Sequence, residues 1–454
     1  MNVSVVILAA GQGTRMRSDL PKVLQPLAGR PLLAHVVDTA QTLEPRQVVV
    51  VYGHGGDSVQ EAFAGQDIVW ALQAEQLGTG HAVMQALPHL DADQTVLILC
   101  GDVPLVRADT IASLASAADG DKLAVLTTEV PDSTGYGRII RDVDNHVIAI
   151  VEERDATDEQ RRIGEINTGL MACPAARLSQ WLERIAPDNA QGEYYLTDIV
   201  GCALEDGVAV VPVDAHDHTE VLGINDKRQL AAAEANYRAR SADELMGQGV
   251  TLIDPQRIDV RGSLTCGRDV IIDINAVFEG NVQLGDGVKV GPNTVVRESH
   301  IGPGTEIHPH CVLEQARVGA NCQIGPYARL RPGVEMADGS KLGNFVEVKK
   351  SRIGRGSKVN HLTYIGDATI GQNVNIGAGT ITCNYDGANK HQTTIGDGAF
   401  IGSGVELVAP VEIGAGATIG AGSTISKAAP DNMLTLERAR QVVIKGWKRP
   451  VKNK

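Results

Sequence analysis

A branched aliphatic residue followed by glycine returns about every six residues through the last two fifths of the chain. Ile365-Gly366, Ile370-Gly371 and Ile376-Gly377 follow one another, as do Ile395-Gly396 and Ile401-Gly402, then Ile413-Gly414 and Ile419-Gly420. Leu284-Gly285, Val290-Gly291, Val318-Gly319 and Ile324-Gly325 come earlier. A unit this short buries its aliphatic side chains only against the units stacked before and after it. The period therefore predicts a parallel β-helix, with the aliphatic residue inward at each corner and the glycine turning the chain. Function is to be sought where the code breaks.

Composition narrows the rest. At 454 residues the chain is too long for one core, and a formal net charge of -14 argues against a general binder of nucleic acid or acidic membrane. Any anionic substrate must meet local basic clusters. The seven cysteines are scattered with no CxxC pair, which suits reduced thiols in a cytoplasm and gives no zinc spacing. The apolar opening, Val5 to Ala10, is too short for a membrane span or a signal core, so no membrane insertion is expected.

That opening run ends in Gly11-Gln12-Gly13-Thr14-Arg15-Met16 and reads as a buried parallel strand feeding a glycine-rich turn. Glycines let backbone N–H groups approach phosphate oxygens, and Arg15 adds a cation. A dinucleotide fingerprint would need glycine where Met16 stands, and a Walker loop would need Gly-Lys-Ser/Thr. Next comes Leu20-Pro21-Lys22, where proline stiffens the chain and gives Lys22 a defined reach. Leu8 to Met16 with Leu20-Pro21-Lys22 resembles the signature of sugar-phosphate nucleotidyltransferases.

Val48 to Tyr52 and Thr95 to Cys100 are strand-like runs with helical composition between them. This is the pattern of a doubly wound, Rossmann-like sheet, whose ligands lie beyond the carboxyl ends of its strands. Gln73 to Gly80 offers an amide and a glycine turn suited to a planar base. Gly101-Asp102 puts a carboxylate at a strand end, and Leu222-Gly223-Ile224-Asn225 supplies an amide oxygen, a pair that Mg2+ tolerates when phosphate and water complete its shell. Gly137, Glu152 and Asn167 suit a sugar ring and its hydroxyls.

Residues 228–248 look like a connecting helix, rich in Ala, Arg, Glu and Leu and free of proline. Within the repeats, Arg329-Leu330-Arg331 and Glu347-Val348-Lys349-Lys350 concentrate cations in an acidic chain, and His361 and Tyr364 follow. An imidazole titrating near neutrality suits a general base acting on an amine. The period lapses from Thr380 to His391, an insertion of the kind that folds over a binding face. A basic segment, Arg438 to Arg449, follows the last repeats.

Taken whole, the chain resembles the bacterial bifunctional family that joins N-acetylglucosamine-1-phosphate uridyltransferase to glucosamine-1-phosphate N-acetyltransferase. The resemblance implies residues 1–227 as the uridyltransferase domain, 228–248 as a helical linker, and 249–454 as a left-handed β-helix N-acetyltransferase domain. It implies two consecutive steps toward UDP-N-acetylglucosamine, with UTP, acetyl-CoA and the two sugar phosphates as substrates. Leu8, Ala9, Ala10, Gly11, Gln73, Gly78 and Thr79, with Cys100 and Gly101, would surround the uridine nucleotide, and Arg15 and Lys22 would neutralise its phosphates. Asp102 and Asn225 would hold Mg2+; Gly137, Glu152 and Asn167 would contact N-acetylglucosamine. Cys100 stands where the family often has tyrosine. In the second half Arg331 and Lys349 would bind the phosphate of glucosamine-1-phosphate, with Tyr364 and Asn375 on the sugar. His361 would be the general base, oriented by Glu347. Asn384 and Tyr385 would stabilise the oxyanion, and Ala378, Ser403, Ala421 and Arg438 would line the acetyl-CoA groove, with Arg440 an alternative to Arg438. The family also implies a homotrimer.

Three other readings compete. One is a nucleotidyltransferase with a single activity and a purely structural or regulatory β-helix. Another is a binding protein with a degenerate first site. The third takes His308, His310 and His361 as metal ligands gathered at a subunit interface.

Overall fold

The apolar opening run becomes the middle of a sheet because both of its faces need cover. Strand β1 (Val3–Leu8) pairs in parallel with β2 (Gln47–Tyr52) on one side and β4 (Thr95–Cys100) on the other, and β3 (Val69–Leu72) adds to β2. Val5, Val6 and Ile7 are fully buried, between two apolar clusters that cover opposite faces. The computed structural model describes residues 2–452 except 54 and 216. The chain divides into two compact units, Met1–Tyr237 and Arg238–Lys454.

The first unit departs from a purely parallel sheet. After β5 (Leu123–Glu129) the chain makes an excursion, the hairpin of β6 (Gly137–Arg141) and β7 (Val147–Val151). It re-enters as β8 (Glu165–Pro174), antiparallel to both β4 and β5. No crossover helix precedes that return, so the strand comes back from the end where the hairpin left it. β9 (Val210–Asp214) then closes the edge in parallel with β5. The consequence is positional: β8 carries Asn167 to the end of the sheet where β1 and β4 terminate.

Helix α1 (Lys227–Gly247) is continuous, and the division between units falls within it. Leu230, Ala233 and Tyr237 pack with Met16, Leu27, Leu32, Leu105 and Ile224 in the first unit. In the second, Ala242 and Leu245 join the core of the repeat region. No helix among the described residues is long and apolar enough to cross a membrane.

The repeat region is one 26-stranded parallel ladder running from Thr251 to Thr435, a left-handed parallel β-helix in its hexapeptide spacing. Each coil lies on the next with inward aliphatics in vertical register: Ile307, Ile324, Leu342, Val359, Ile376, Ile401 and Ile419 form one such column. All are at most 2% exposed, and burying each contributes about 1.5–3 kcal/mol. Stacked partners are usually 17 or 18 residues apart, as in Ile353 with Ile370 and Arg329 with Glu347. Across the insertion, Ile370 pairs with Ile395, so the extra residues bulge outward and the column continues.

Gly343 shows how tightly the coils sit, since a Cβ there would overlap the carbonyl of Asn360 on the next coil. Gly343→Ala is expected to destabilise the second unit by about 1–3 kcal/mol, the usual cost of overpacking a backbone contact. Calorimetry on the full chain should show the transition of residues 238–454 moving down while that of the first unit stays in place.

Candidate functional sites

In the first unit the ends of β1 and β4 meet side by side, with Leu8 opposite Cys100 and the N–H of Gly101 donating to the Leu8 carbonyl at 2.9 Å. Beyond them opens a cavity of about 270 Å³. Of the residues expected from sequence, Leu8, Ala9, Ala10, Gly11, Lys22, Gln73, Gly78, Thr79, Cys100 and Asp102 line it. Val23, Gln76, Ala82 and Glu193 line it too and were not expected. Glu193 arrives from a distant loop that the close approach of Gly78 to Tyr194 holds in place, and no motif marks it. Gln73 Nε2 lies 3.1 Å from both the Gly78 carbonyl, to which it donates, and His81 Nδ1, so the amide is held in place at the cavity wall. Arg15 sits exposed on the turn Thr14–Met16 and is not part of the cavity lining.

The expected cation ligands converge. The ammonium of Lys22 donates to Asp102 Oδ2 and, at 2.7 Å, to Asn225 Oδ1. Both oxygens therefore point at one spot that positive charge already occupies. One carboxylate and one amide oxygen make a hard donor set, so the residues fit a divalent ion that draws its remaining ligands from phosphate and water.

Gly137, Glu152 and Asn167 also come together. Asn167 is in register with Gly137, and a Cβ on Gly137 would stand 3.3 Å from Glu152 Oε1. Asn167 Oδ1 accepts from the Gly169 N–H at 3.1 Å, so its NH2 group is left as a donor. Burial pushes the pKa of Glu152 up, the bond from Thr197 opposes this, and the charges of Asp198 and Asp155 add to the rise. Tyr136 reaches from the same hairpin toward the Gly223 backbone, and burial raises its pKa, with Asp102 contributing.

In the second unit one corner of the β-helix changes character along its length. His310, Tyr327, Phe345 and Leu362 occupy it on successive coils, all at positive φ. The rings stack, His310 on Tyr327 at 4.7 Å and Tyr327 on Phe345 at 5.2 Å. Beyond Leu362 the same position becomes Gly379, Gly404 and Gly422, preceded by Ala378, Ser403 and Ala421. Bulk gives way to an open step, and His361 stands at the boundary. Arg438 comes alongside, its Cδ 4.0 Å from where a Cβ on Gly422 would lie.

Glu347 was expected to orient His361 and does not. It pairs with Arg331 at 3.0 Å, and the partner of the imidazole is Asn344, whose Oδ1 lies 2.6 Å from Nδ1. With Nδ1–H donating to that oxygen, Nε2 carries the lone pair. Asn344 lies 17 residues before His361, one coil below, a relation visible only once the register is known.

On the face that follows this corner, Arg329, Glu347 and Tyr364 stack in register, with Arg331 and Lys349 at its far end. The insertion brings Lys390 to Lys349. That ammonium contact pushes the pKa of Lys349 down, partial desolvation and Arg331 add to the effect, and Asp367 opposes it. Crowded cations of this kind are a place for an anion. Asn384 donates to Asp367, and Gly366 is bare where Tyr364 and Asn384 crowd in. Tyr385, at the start of the insertion, is bridged to Lys390. Asn375 does not join this group: it is in register with Lys358, on the other side of the His361 corner.

Two family models match the chain. Residues 5–251 fit a MobA-like NTP transferase domain, and residues 264–298, 315–350 and 392–427 fit the bacterial transferase hexapeptide repeat. The class is thus a nucleotidyltransferase joined to a hexapeptide-repeat acyltransferase. Full-length relatives are more specific. "Bifunctional protein GlmU" of Azoarcus sp. (strain BH72) is 58% identical over 100% of both chains. Its counterparts in Aromatoleum aromaticum and Ralstonia pickettii are 58% and 57% identical, each covering 100% of this chain and 99% of the relative. The chain belongs to the bifunctional GlmU family, transferases with uridyltransferase and acetyltransferase activities in UDP-N-acetylglucosamine synthesis. The reading in which the β-helix only supports a single activity falls with that membership.

Cys100 yields a direct check on the first cavity. Burial pushes its thiol up to about 12, the Asp102 carboxylate adds to the rise and Lys22 opposes it. Only the thiolate alkylates readily. In the native chain at pH 8, Cys100 is expected to resist iodoacetamide until denaturation, and Asp102→Asn should speed its modification, as read by peptide mass spectrometry.

Proposed function

We propose that residues 1–227 carry uridylyl transfer, that residues 249–454 carry acetyl transfer, and that residues 228–248 join them. The observation that carries the acetyl-transfer assignment is the corner where bulky side chains yield to glycine beside a histidine whose Nδ1 is held by Asn344.

In the first unit the nucleotide lies in the cavity, its base against Gln73, Gly78 and Thr79 and its phosphates against Gly11 and Lys22, with Arg15 reaching them from the exposed turn outside the cavity lining. Asp102 and Asn225 hold Mg2+, which when bound supplies positive charge to the phosphate oxygens. Gly137, Glu152 and Asn167 receive the sugar of N-acetylglucosamine-1-phosphate. Its phosphate oxygen attacks the α-phosphorus of UTP in line, the bond to the β-phosphate breaks, and pyrophosphate leaves. No side chain needs to act as a nucleophile. Positioning and charge neutralisation account for the rate.

In the second unit Arg331 and Lys349, with Lys390 added by the insertion, take the phosphate of glucosamine-1-phosphate, and Tyr364 meets the sugar. Acetyl-CoA lies along Ala378, Ser403 and Ala421 with Arg438 at its phosphates. His361 Nε2 removes a proton from the amine as its nitrogen attacks the thioester carbonyl. The backbone N–H of Tyr385 and the second amide hydrogen of Asn384 steady the oxyanion. The C–S bond then breaks, and the imidazolium returns its proton to the departing CoA sulfur.

The working form is a homotrimer. Tyr327, Phe345 and Leu362 are 49%, 54% and 65% exposed, an apolar ridge beside the site that a second copy would cover, and Asn375 would then serve a neighbouring chain. Seven free cysteines suit a cytoplasmic enzyme.

Two assays on one preparation test the division of labour: CoA released from acetyl-CoA with glucosamine-1-phosphate, and pyrophosphate released from UTP, Mg2+ and N-acetylglucosamine-1-phosphate. His361→Ala should lower only the first, by about a hundredfold or more, and Asp102→Ala only the second. Loss of both from either substitution would overturn the assignment. Light scattering tests the assembly: Phe345→Asp should reduce the mass from that of three chains to one and abolish acetyl transfer, with uridylyl transfer retained. A wild-type chain that is monomeric yet transfers acetyl groups would refute the trimer.

A further inference from the structure

Lys22 is assigned above to nucleotide phosphate, yet its ammonium is engaged with the two oxygens assigned to the divalent ion. It lies between Asp102 Oδ2 and Asn225 Oδ1, the latter at 2.7 Å, with its side chain only 11% exposed. A single carboxylate neutralised by an ammonium offers a divalent cation little net attraction, because the incoming ion meets a full positive charge at contact distance.

The backbone beneath this side chain is fixed. Lys22 opens the turn Lys22–Leu24, its carbonyl accepts from the Gln25 N–H at 3.1 Å, and Val23 and Leu24 are buried. Its Cβ lies so close to Gly13 that a side chain on that glycine would overlap it at 2.6 Å. The stem therefore starts against the glycine turn, where phosphates are to be bound, and ends at the cation position. Only its four-carbon chain needs to turn for the charge to pass from one place to the other, and lysine, unlike arginine, is a compact charge on a flexible stem.

We propose that Lys22 is a latch on the cation site. In the free enzyme its ammonium holds Asp102 and Asn225 together and keeps divalent ions out. When nucleotide phosphates arrive at the glycine turn the ammonium transfers to them, the two oxygens are released, and the divalent ion enters with the nucleotide and not ahead of it. The lysine thus serves as a positioning residue for the cation ligands as well as a phosphate contact. This rests on the reading of Asp102 and Asn225 as cation ligands.

The test is a titration of Mn2+ into the full-length chain without nucleotide, followed by electron paramagnetic resonance, for wild type, Lys22→Met, Lys22→Gln and the double variant Lys22→Met/Asp102→Asn. Removing the competing ammonium should tighten Mn2+ binding by about tenfold or more in both single variants, and the double variant should lose that gain. Two differently shaped replacements, each checked by circular dichroism, guard against a local folding fault. Single variants that bind Mn2+ no more tightly than wild type would overturn the latch. The underlying reading fails differently. If a non-hydrolysable UTP analogue creates a Mn2+ site in wild type that Asp102→Asn leaves unchanged, the ion is held elsewhere, and the latch falls with it.

Discussion

The second unit depends on one constraint: a coil of the β-helix buries its aliphatic residues only on the coils above and below it. Ile324, Leu342, Val359 and Ile376 occupy one column because no other arrangement removes them from water. The inward column in turn determines where every outward residue stands. His361 meets Asn344 because Leu342 and Val359 are paired two residues earlier in the same strands. The insertion obeys the same rule. Since Ile370 still pairs with Ile395, its extra residues are expelled to the outside, where they bring Lys390 against Lys349.

The first unit reaches its site by a different route, with strands ending together. Leu8 and Cys100 terminate neighbouring parallel strands, so the glycine turn after one and Asp102 after the other face a common space. The antiparallel return of β8 adds Asn167 at that end, in register with Gly137. Sheet burial accounts for both placements. The central strands are largely apolar on both faces, so the polar and charged groups around the cavity collect where the strands stop.

Charge is arranged locally against a net acidic background. Lys22 neutralises Asp102 at the mouth of the first cavity, and Arg331, Lys349 and Lys390 gather on one face of the β-helix. The two arrangements differ in kind. In the first an ammonium is matched by a carboxylate and an amide, so the group is nearly neutral until a ligand disturbs it. In the second, cations press on one another enough to lower the pKa of Lys349, and an anion relieves the repulsion. Glu152, its pKa raised by burial and by Asp198 and Asp155, is the acidic counterpart beside Gly137 and Asn167.

The sequence alone determined the β-helix, the glycine turn after the first strand and most of the residues around the first cavity. Those features are short-range: a period of six, an apolar run before glycines, a carboxylate at a strand end each lie within a few neighbouring residues. Tertiary structure decided the contacts between coils and between distant loops. It replaced Glu347 with Asn344 beside His361, brought Lys390 to Lys349, moved Asn375 around the corner from Tyr364, and set Lys22 on Asp102 and Asn225. The physical reason is that inward residues answer to a local period, whereas outward neighbours depend on register across 17, 18 or, at the insertion, 25 residues, which only the stacked coils fix.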